Sequence, residues 1–474
     1  MDFLIQIIHT LNQPLKMKIA KSDIMARKWC LPQINFAKEQ MTSYGGLVVF
    51  KPLLERLRIA QKLESCCRHL QAGSHYRFGR IVQLLVIHIL LGFRPLRDID
   101  FYKEDPLVRQ IAGMKRLPRV PTISRMLEQF DERSLLGLEK TNTKLVLQRL
   151  QQEGLARITL DFDGSVLSAR RQAEGMAVGF NRKKKGQRSY YPLFCTVAQS
   201  GQVLAVLHRS GNVHDSNGAI EFVCQCVQTV REALPAAKVE TRMDSAFFSD
   251  EMVQALEALK LEYTISVPFA RLAALKDLVE KRWLWWQLRS GEKELGYFEK
   301  RWKPKSWGQR NRFVFIRAEV NLQTKRPLQL DLFEPRQRGY LFKVIVTNKK
   351  CITRKVVRYH EGRGAQESIF GELKNHGQMD YIPARRWNAN KVFLLANLLA
   401  HNLTRELQME RAATRRHTNE KRSSLWKFEN WHTLRRNLLL KAGRLNRPNG
   451  RWTLTFNKNA AVERLLLSFM PSQT

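Results

Sequence analysis

Acidic residues are scarce in this chain of 474. Its 43 aspartates and glutamates stand against 81 lysines and arginines, for a formal net charge of +38. So large an excess is more than solubility needs. It points to a polyanionic partner, nucleic acid first and an anionic membrane surface second. Long apolar runs are missing as well. The longest, Ile81 to Phe93, is broken by Gln83 and His88; it is too short to cross a bilayer and is expected as a buried helix. The N-terminus carries Asp2 and no signal-peptide pattern. Cysteine is sparse: Cys30, Cys66, Cys67, Cys195, Cys224, Cys226 and Cys351 include no Cys-x-x-Cys pair. That argues against a zinc site and for reduced thiols in a cytoplasm. Neither an internal repeat nor a low-complexity tract is present.

Five stretches follow from the patterning. Residues 1–40 are weakly patterned, with further possible starts at Met17, Met25 and Met41. Residues 41–150 are expected to form a helical, DNA-binding domain around the Phe78–Phe93 segment, which is apolar on every face. Within it, Pro121-Thr122-Ile-Ser-Arg125 opens a helix with Thr122 as its expected cap. Ile123, Met126, Leu127 and Phe130 make its buried stripe and leave Arg125 outward. A recognition helix and a plain bundle helix with a basic surface fit this pattern equally. From residue 156 the period becomes two: Ile158, Leu160 and Phe162 alternate with Thr159, Asp161 and Asp163. Three successive strands, then helix, strand, helix and strand, predict a mixed α/β sheet covered by helices over 151–269 and 359–407. Between them, 270–358 is expected as a β-rich insertion carrying Trp283, Trp285, Trp286, Trp302 and Trp307. The basic region 408–474 ends in a hairpin at Arg447-Pro-Asn-Gly450.

Three of the rare carboxylates occupy ordered settings. Asp163 ends the run Arg157-Ile-Thr-Leu-Asp-Phe-Asp163-Gly-Ser165, and Asp244 ends Lys238-Val-Glu-Thr-Arg-Met-Asp244. Glu367 lies on a helical segment where Arg363, Glu367 and Lys374, spaced by four and seven, share a stripe. Alternation puts Asp161 on the same strand face as Asp163, which makes it the runner-up. Carboxylates from two strands and a helix that converge repel one another unless a divalent cation screens them. Hard oxygen donors suit Mg²⁺, with Mn²⁺ as substitute, and a pair of such ions is the usual device for cutting and joining phosphodiesters. Each setting also has a plain reading, as a strand-end turn residue or a solvated, salt-bridged helix face. A nucleotide-sugar transferase Asp-x-Asp at 161–163 leaves Asp244 and the net charge unexplained.

At these residues the chain resembles an insertion-sequence DDE transposase of the IS-thirteen-eighty group, over about Thr42 to Trp452. The similarity is carried by Leu160-Asp-Phe-Asp-Gly-Ser165, Arg209-Ser-Gly-Asn-Val213, Arg242-Met-Asp244-Ser-Ala-Phe247 and Arg363…Glu367…Lys374, with Asp105-Pro106 and Pro121-Thr122-Ile-Ser-Arg125 upstream. In related transposases the last signature begins with a tyrosine two residues clear of the arginine. Here Tyr359 stands one residue further back, and His360 fills that slot. The resemblance implies a ribonuclease-H-like catalytic core with Asp163, Asp244 and Glu367 as catalytic, metal-binding triad. It implies Arg363 and Lys374 on DNA phosphates, and an insertion tryptophan stacked on a flipped base in some relatives. Arg125 and the basic run Arg182-Lys183-Lys184-Lys185 complete the candidate DNA contacts. The expected function is cleavage at the element's terminal inverted repeats and joining of 3′-hydroxyls to target DNA. The expected setting is the cytoplasm, at the nucleoid, with double-stranded DNA as partner and a homodimer in the synaptic complex. The alternatives are a catalytically silent repressor or architectural protein of the same ancestry, and a nuclease without strand transfer.

Overall fold

Alternating apolar and polar positions build the centre of this protein, a nine-stranded mixed sheet. The computed structural model describes residues 34, 39–71, 73, 75–169, 172–179, 184–213, 217–290, 293–319, 340–411 and 416–470. Arg182 and Lys183, and nearly all of 1–40, lie outside the described residues. The strands are β1 (Arg157–Gly164), β2 (Leu193–Val197), β3 (Gln202–Leu207), β4 (Lys238–Met243), β5 (Glu262–Val267), β6 (Trp286–Ser290), β7 (Lys293–Trp302), β8 (Asn311–Glu319) and β9 (Tyr340–Thr347). They lie in the order β6-β7-β8-β9-β5-β4-β1-β2-β3. Only β1, β4 and β5 run parallel, with Phe162 opposite Met243 and Met243 opposite Ile265; the other pairs are antiparallel. The strand-rich stretch after residue 270 therefore extends the central sheet. Its last strand, β9, pairs with β5, Val344 opposite Val267 and Thr347 opposite Thr264.

Both faces of the sheet are covered. Before the sheet come α1 (Phe50–Arg56), α2 (Ile59–Cys66), α3 (Phe78–Leu91), α4 (Pro106–Ala112), α5 (Val120–Leu127) and α6 (Glu132–Glu153). Within and after it come α7 (Ala219–Ala233), α8 (Asp250–Ala258), α9 (Ala273–Glu280), α10 (Thr353–Glu361), α11 (Gly364–Asn375) and α12 (Trp387–Arg411). Ile158, Leu160 and Phe162 of β1 pack with Val223, Val227 and Val230 of α7 and Leu256 of α8. The opposite face of β1 and its neighbours carries polar groups and is covered by α10 and α11. On that face Thr264 and Ser266 of β5 bond His360 of α10 at 2.9 and 2.8 Å.

Among the described residues, the helices before the sheet share their core with later parts of the chain. Leu84, Leu85 and Ile89 of α3 share one cluster with Phe393, Leu394 and Leu398 of α12 and with Phe194 and Val206 of the sheet. Met41–Thr42 pairs with Gly443–Asn446, and residues 41–474 form one unit. Burial on every face explains α3, where all of the helix except Arg80 is buried. Asp105 caps α4 by accepting from the Leu107 and Val108 amides at 3.1 and 3.0 Å, with Pro106 as the first helical residue. The Asp-Pro pair thus has a structural role. Helix α5 starts earlier than the sequence suggests: Arg119, not Thr122, is the cap, and Pro121 lies in the first turn. Among the described residues no helix is long and apolar enough to cross a membrane.

Candidate active site

Parallel strands expose their C-terminal ends at one edge, and that edge holds two of the carboxylates. Asp163 is the penultimate residue of β1, and Asp244 directly follows β4. Asp163 accepts the Gly164 amide at 2.8 Å, and Asp244 accepts the Ala246 amide at 3.0 Å while opening a short 3₁₀ turn. Glu367 comes from the first turn of α11. Arg363, the residue before that helix, donates to Asp163 at 3.1 Å and to Glu367 at 3.3 Å. One guanidinium thus ties the strand carboxylate to the helix carboxylate.

The electrostatics of Asp163 mark the site. Its side chain is only 16% exposed. Burial pushes its carboxyl up to about 7; the nearby Asp244 charge adds to the rise, Arg363 and the Gly164 amide oppose it, and Glu367 adds a smaller upward push. All three carboxylates of the sequence-derived triad are therefore within electrostatic reach of one point. They do not form a closed cage: among the described residues no group of three acidic, cysteine or histidine side chains is spaced to hold a metal ion. Glu367, 67% exposed and held by Arg363, is the outlying member.

Asp161, on the same strand face, has a different role. Arg242, fully buried, donates to both of its oxygens at 2.5 and 2.7 Å. The same guanidinium donates to the Tyr359 carbonyl at 2.9 Å and the Lys421 carbonyl at 2.6 Å. Asp161 also anchors α11 through its backbone, since the Gln366 side-chain Nε2 donates to its carbonyl at 3.0 Å. Its carboxylate is spent on a latch joining β1, β4, the end of α10 and the 421 loop. Gly362 makes that approach possible, because a Cβ there would lie 1.9 Å from the Lys421 carbonyl oxygen and 2.0 Å from Arg242 Nη1. The far end of α11 is fixed by Glu372, which pairs with Arg405 and accepts the Trp431 amide at 2.9 Å.

The remaining sequence candidates spread widely. Lys374 is half-buried near the far end of α11, seven positions beyond Glu367. Arg125 is exposed on α5, with Ile123, Met126 and Leu127 buried behind it. Lys184 and Lys185 are exposed ahead of the short strand Arg188–Tyr190. Tyr359 is buried, its ring beneath Arg242 at 5.2 Å and Lys349 at 4.0 Å, so both it and His360 serve packing at the sheet. Arg209, half of the Arg-Ser-Gly-Asn signature's interest, braces the chain by donating to the Tyr191 and Asn217 carbonyls at 3.1 and 2.9 Å. Of the five tryptophans of 270–358, Trp285 and Trp307 are core residues and Trp302 packs on Phe313 at 5.0 Å. Trp283 and Trp286 are 86% and 57% exposed. Sequence reasoning missed the Arg242 latch, although alternation from Asp244 already places Arg242 on the acidic face.

No curated protein matches the chain. Among solved structures, similarity is found to a piggyBac transposase synaptic complex with hairpin DNA, at 11% identity over 85% of this chain and 82% of that one, TM-score 0.42. A Mos1 transposase paired-end complex with left transposon end matches at 11% identity over 52% and 73%, TM-score 0.18. The family described as transposase DDE domain group 1 matches residues 32–472, and the chain belongs to that family.

Proposed function

We propose that this protein is a DNA transposase of the IS-thirteen-eighty group, with a ribonuclease-H-like core in which Asp163, Asp244 and Glu367 hold divalent cations. The observation that carries the reading is the buried Asp163, its carboxyl raised by desolvation and by Asp244, facing a single bridging guanidinium, Arg363. Three carboxylates offer only hard oxygen donors, which fits Mg²⁺ or Mn²⁺. A bound cation would supply Lewis-acid stabilisation of charge on the phosphate oxygens.

The protein's own residues do the rest. Asp163 and Asp244 are set by strand ends and amide hydrogen bonds, so they are preorganised. Glu367 sits on the solvent side, and its joining the two aspartates on a cation would require Arg363 to release it. Arg363 then turns its fork to a DNA phosphate, the exchange of one anion for another. Lys374 extends the phosphate contacts along α11, and the exposed Lys184 and Lys185 offer further ones elsewhere on the surface. Arg125 on α5 reads base edges at the terminal repeats. In the first step a water oxygen attacks the phosphorus in line, and the bond to the 3′ oxygen breaks, leaving a 3′-hydroxyl and a 5′-phosphate. In the second, that hydroxyl attacks a target phosphodiester and displaces its 3′ oxygen. The nucleophiles belong to water and DNA, so no protein nucleophile is required. A homodimer would hold two ends together.

The test uses the full-length protein and duplexes taken from the ends of its own genetic locus. Nicking and strand transfer are expected with Mg²⁺ or Mn²⁺ and not with chelator. Binding without cleavage under every divalent cation would return the chain to the silent DNA-binding alternative. Cutting that persists in chelator would remove the metal assignment.

A further inference from the structure

The strand-rich segment brings one cation to the active-site edge that no sequence pattern singled out. On β9, Val344 lies opposite Val267 and Ile345 opposite Ser266 of β5. On the other side of β5, Ile265 lies opposite Met243 of β4, which sets Asp244 level with Ser266 and Ile345. Lys343 is two residues further toward the edge, about 7 Å, and two strands across, about 10 Å. Its face is also defined. Ile345, of the same parity, packs on Val356 and Val357 of α10, and Ser266 bonds His360 of that helix. Lys343 therefore stands on the side of the sheet that carries Asp163, α10 and α11, at the mouth of the site.

Its surroundings are mixed. Lys343 is solvent-exposed by area. Crowding by protein and the positive charge of Arg363 lower the pKa of its ammonium, while Glu361 and Glu367 pull it upward. Lys343 and Arg363 are thus two cations kept within electrostatic reach of one another, beside Glu367, which shares the Arg363 guanidinium with Asp163. Like charges held together are relieved by an anion between them. A phosphate is the anion this protein is built to meet, given its net charge of +38.

We propose that Lys343 binds a DNA phosphate beside Glu367, together with Arg363, so that β9 forms one wall of the DNA groove. The proposal rests on the transposase reading above and adds a contact from a segment outside the carboxylate-bearing elements. Because the Lys343 side chain is exposed, one residue past the last β5–β9 pair, Lys343→Gln is expected to fold normally.

The experiment measures binding of a fluorescent blunt-ended duplex to full-length protein in chelator, with salt varied from about 50 to 200 mM. Each neutralised phosphate contributes a slope of about −0.9 to log affinity against log salt. Lys343→Gln is expected to lower the slope's magnitude by about 0.9, so that its affinity falls about 3.5-fold less than wild type over that fourfold range. Lys343→Arg is expected to restore the slope. An unchanged slope in Lys343→Gln overturns the proposal while leaving the transposase reading in place. A wild-type protein that ignores duplex DNA overturns both. Should the Gln variant misfold, lysine acetylation of the wild-type protein decides: duplex DNA should protect Lys343, and equal labelling with and without DNA overturns the proposal.

Discussion

Arg363 and Asp163, 200 positions apart in sequence, meet at 3.1 Å, and the same guanidinium reaches Glu367 at 3.3 Å. Arg363 neutralises the carboxylates that would otherwise repel. Its planar fork suits both carboxylate and phosphate, a property lysine lacks. Arg363→Ala is expected to slow DNA cleavage roughly 10²-fold, in the range found when one preorganised charge-stabilising donor is removed. Arg363→Lys should retain more activity than Arg363→Ala because it keeps the charge. Cleavage rates on a labelled end duplex decide this. Wild-type activity in Arg363→Ala would return the helix to a solvated, salt-bridged face.

Removing a triad carboxylate should separate stability from function. Asp163 is buried near another negative charge, and its raised pKa means that folding disfavours its ionised form. Asp163→Asn removes that repulsion, so its thermal midpoint should match or exceed the wild-type value while cleavage is lost. Asp244→Asn and Glu367→Gln should also abolish cleavage and keep DNA binding. Loss of folding in Asp163→Asn, or near-normal excision in any one of the three, would contradict the assignment.

Much of this arrangement was legible in the sequence, and the exceptions share a cause. Alternation along Ile158–Asp163 placed the apolar side chains against α7 and the acids on the other face, because a period of two admits no other arrangement. The stripe behind Arg125 came from helical spacing in the same way. The cap of α5 was misplaced by three residues, since Pro121 fits the first turn of a helix as well as the position before it. Local periodicity could not reveal contacts made across long stretches of chain. Nothing near Asp161 announces that Arg242 will consume its carboxylate, nor that β9 will join the sheet beside β5 and bring Lys343 to the edge. The pattern of 41–150 predicts a helical domain of its own around the Phe78–Phe93 segment. The surface that completes its core comes from α12, more than two hundred residues later.

The latch between Asp161 and Arg242 yields a distinct expectation. Both side chains are essentially inaccessible, so breaking the pair leaves an uncompensated buried charge. Asp161→Asn or Arg242→Gln should each destabilise the protein by about 3–5 kcal/mol. The double change Asp161→Leu with Arg242→Met should recover much of that loss, because it removes both charges together. Gly362→Ala should also destabilise, through contact with the Lys421 carbonyl and Arg242 rather than through backbone strain. Urea midpoints compared at one pH test all four. Equal stability of wild type and Asp161→Asn would show that the pair does not hold the helix to the sheet.

Acid should weaken the fold before it protonates most carboxylates. Burial pushes His88 down to about 4, and His208 and His401 down to about 3, each from an ordinary value of 6.5. His401 sits among core residues with its Nε2 bonded to the Gly201 carbonyl at 2.9 Å, and His88 meets the Tyr102 hydroxyl at 2.7 Å. In the unfolded chain all three take up protons as pH falls through about 6.5, whereas in the folded protein they stay neutral until pH is far lower. The unfolded state therefore binds more protons in that window, and stability falls as pH drops. At about pH 5.5 each histidine should cost on the order of 1 kcal/mol; protonation of Asp163, whose carboxyl burial pushes up to about 7, offsets part of that loss, and the three histidines together still lower the urea midpoint between pH 7.5 and 5.5. Replacing His401 with Gln should make the drop smaller, because one proton-linked group is gone while a donor to the Gly201 carbonyl is kept. A pH-independent midpoint over this range, or an unchanged pH response in His401→Gln, would mean that these rings are protonated within the fold or that the core opens around them.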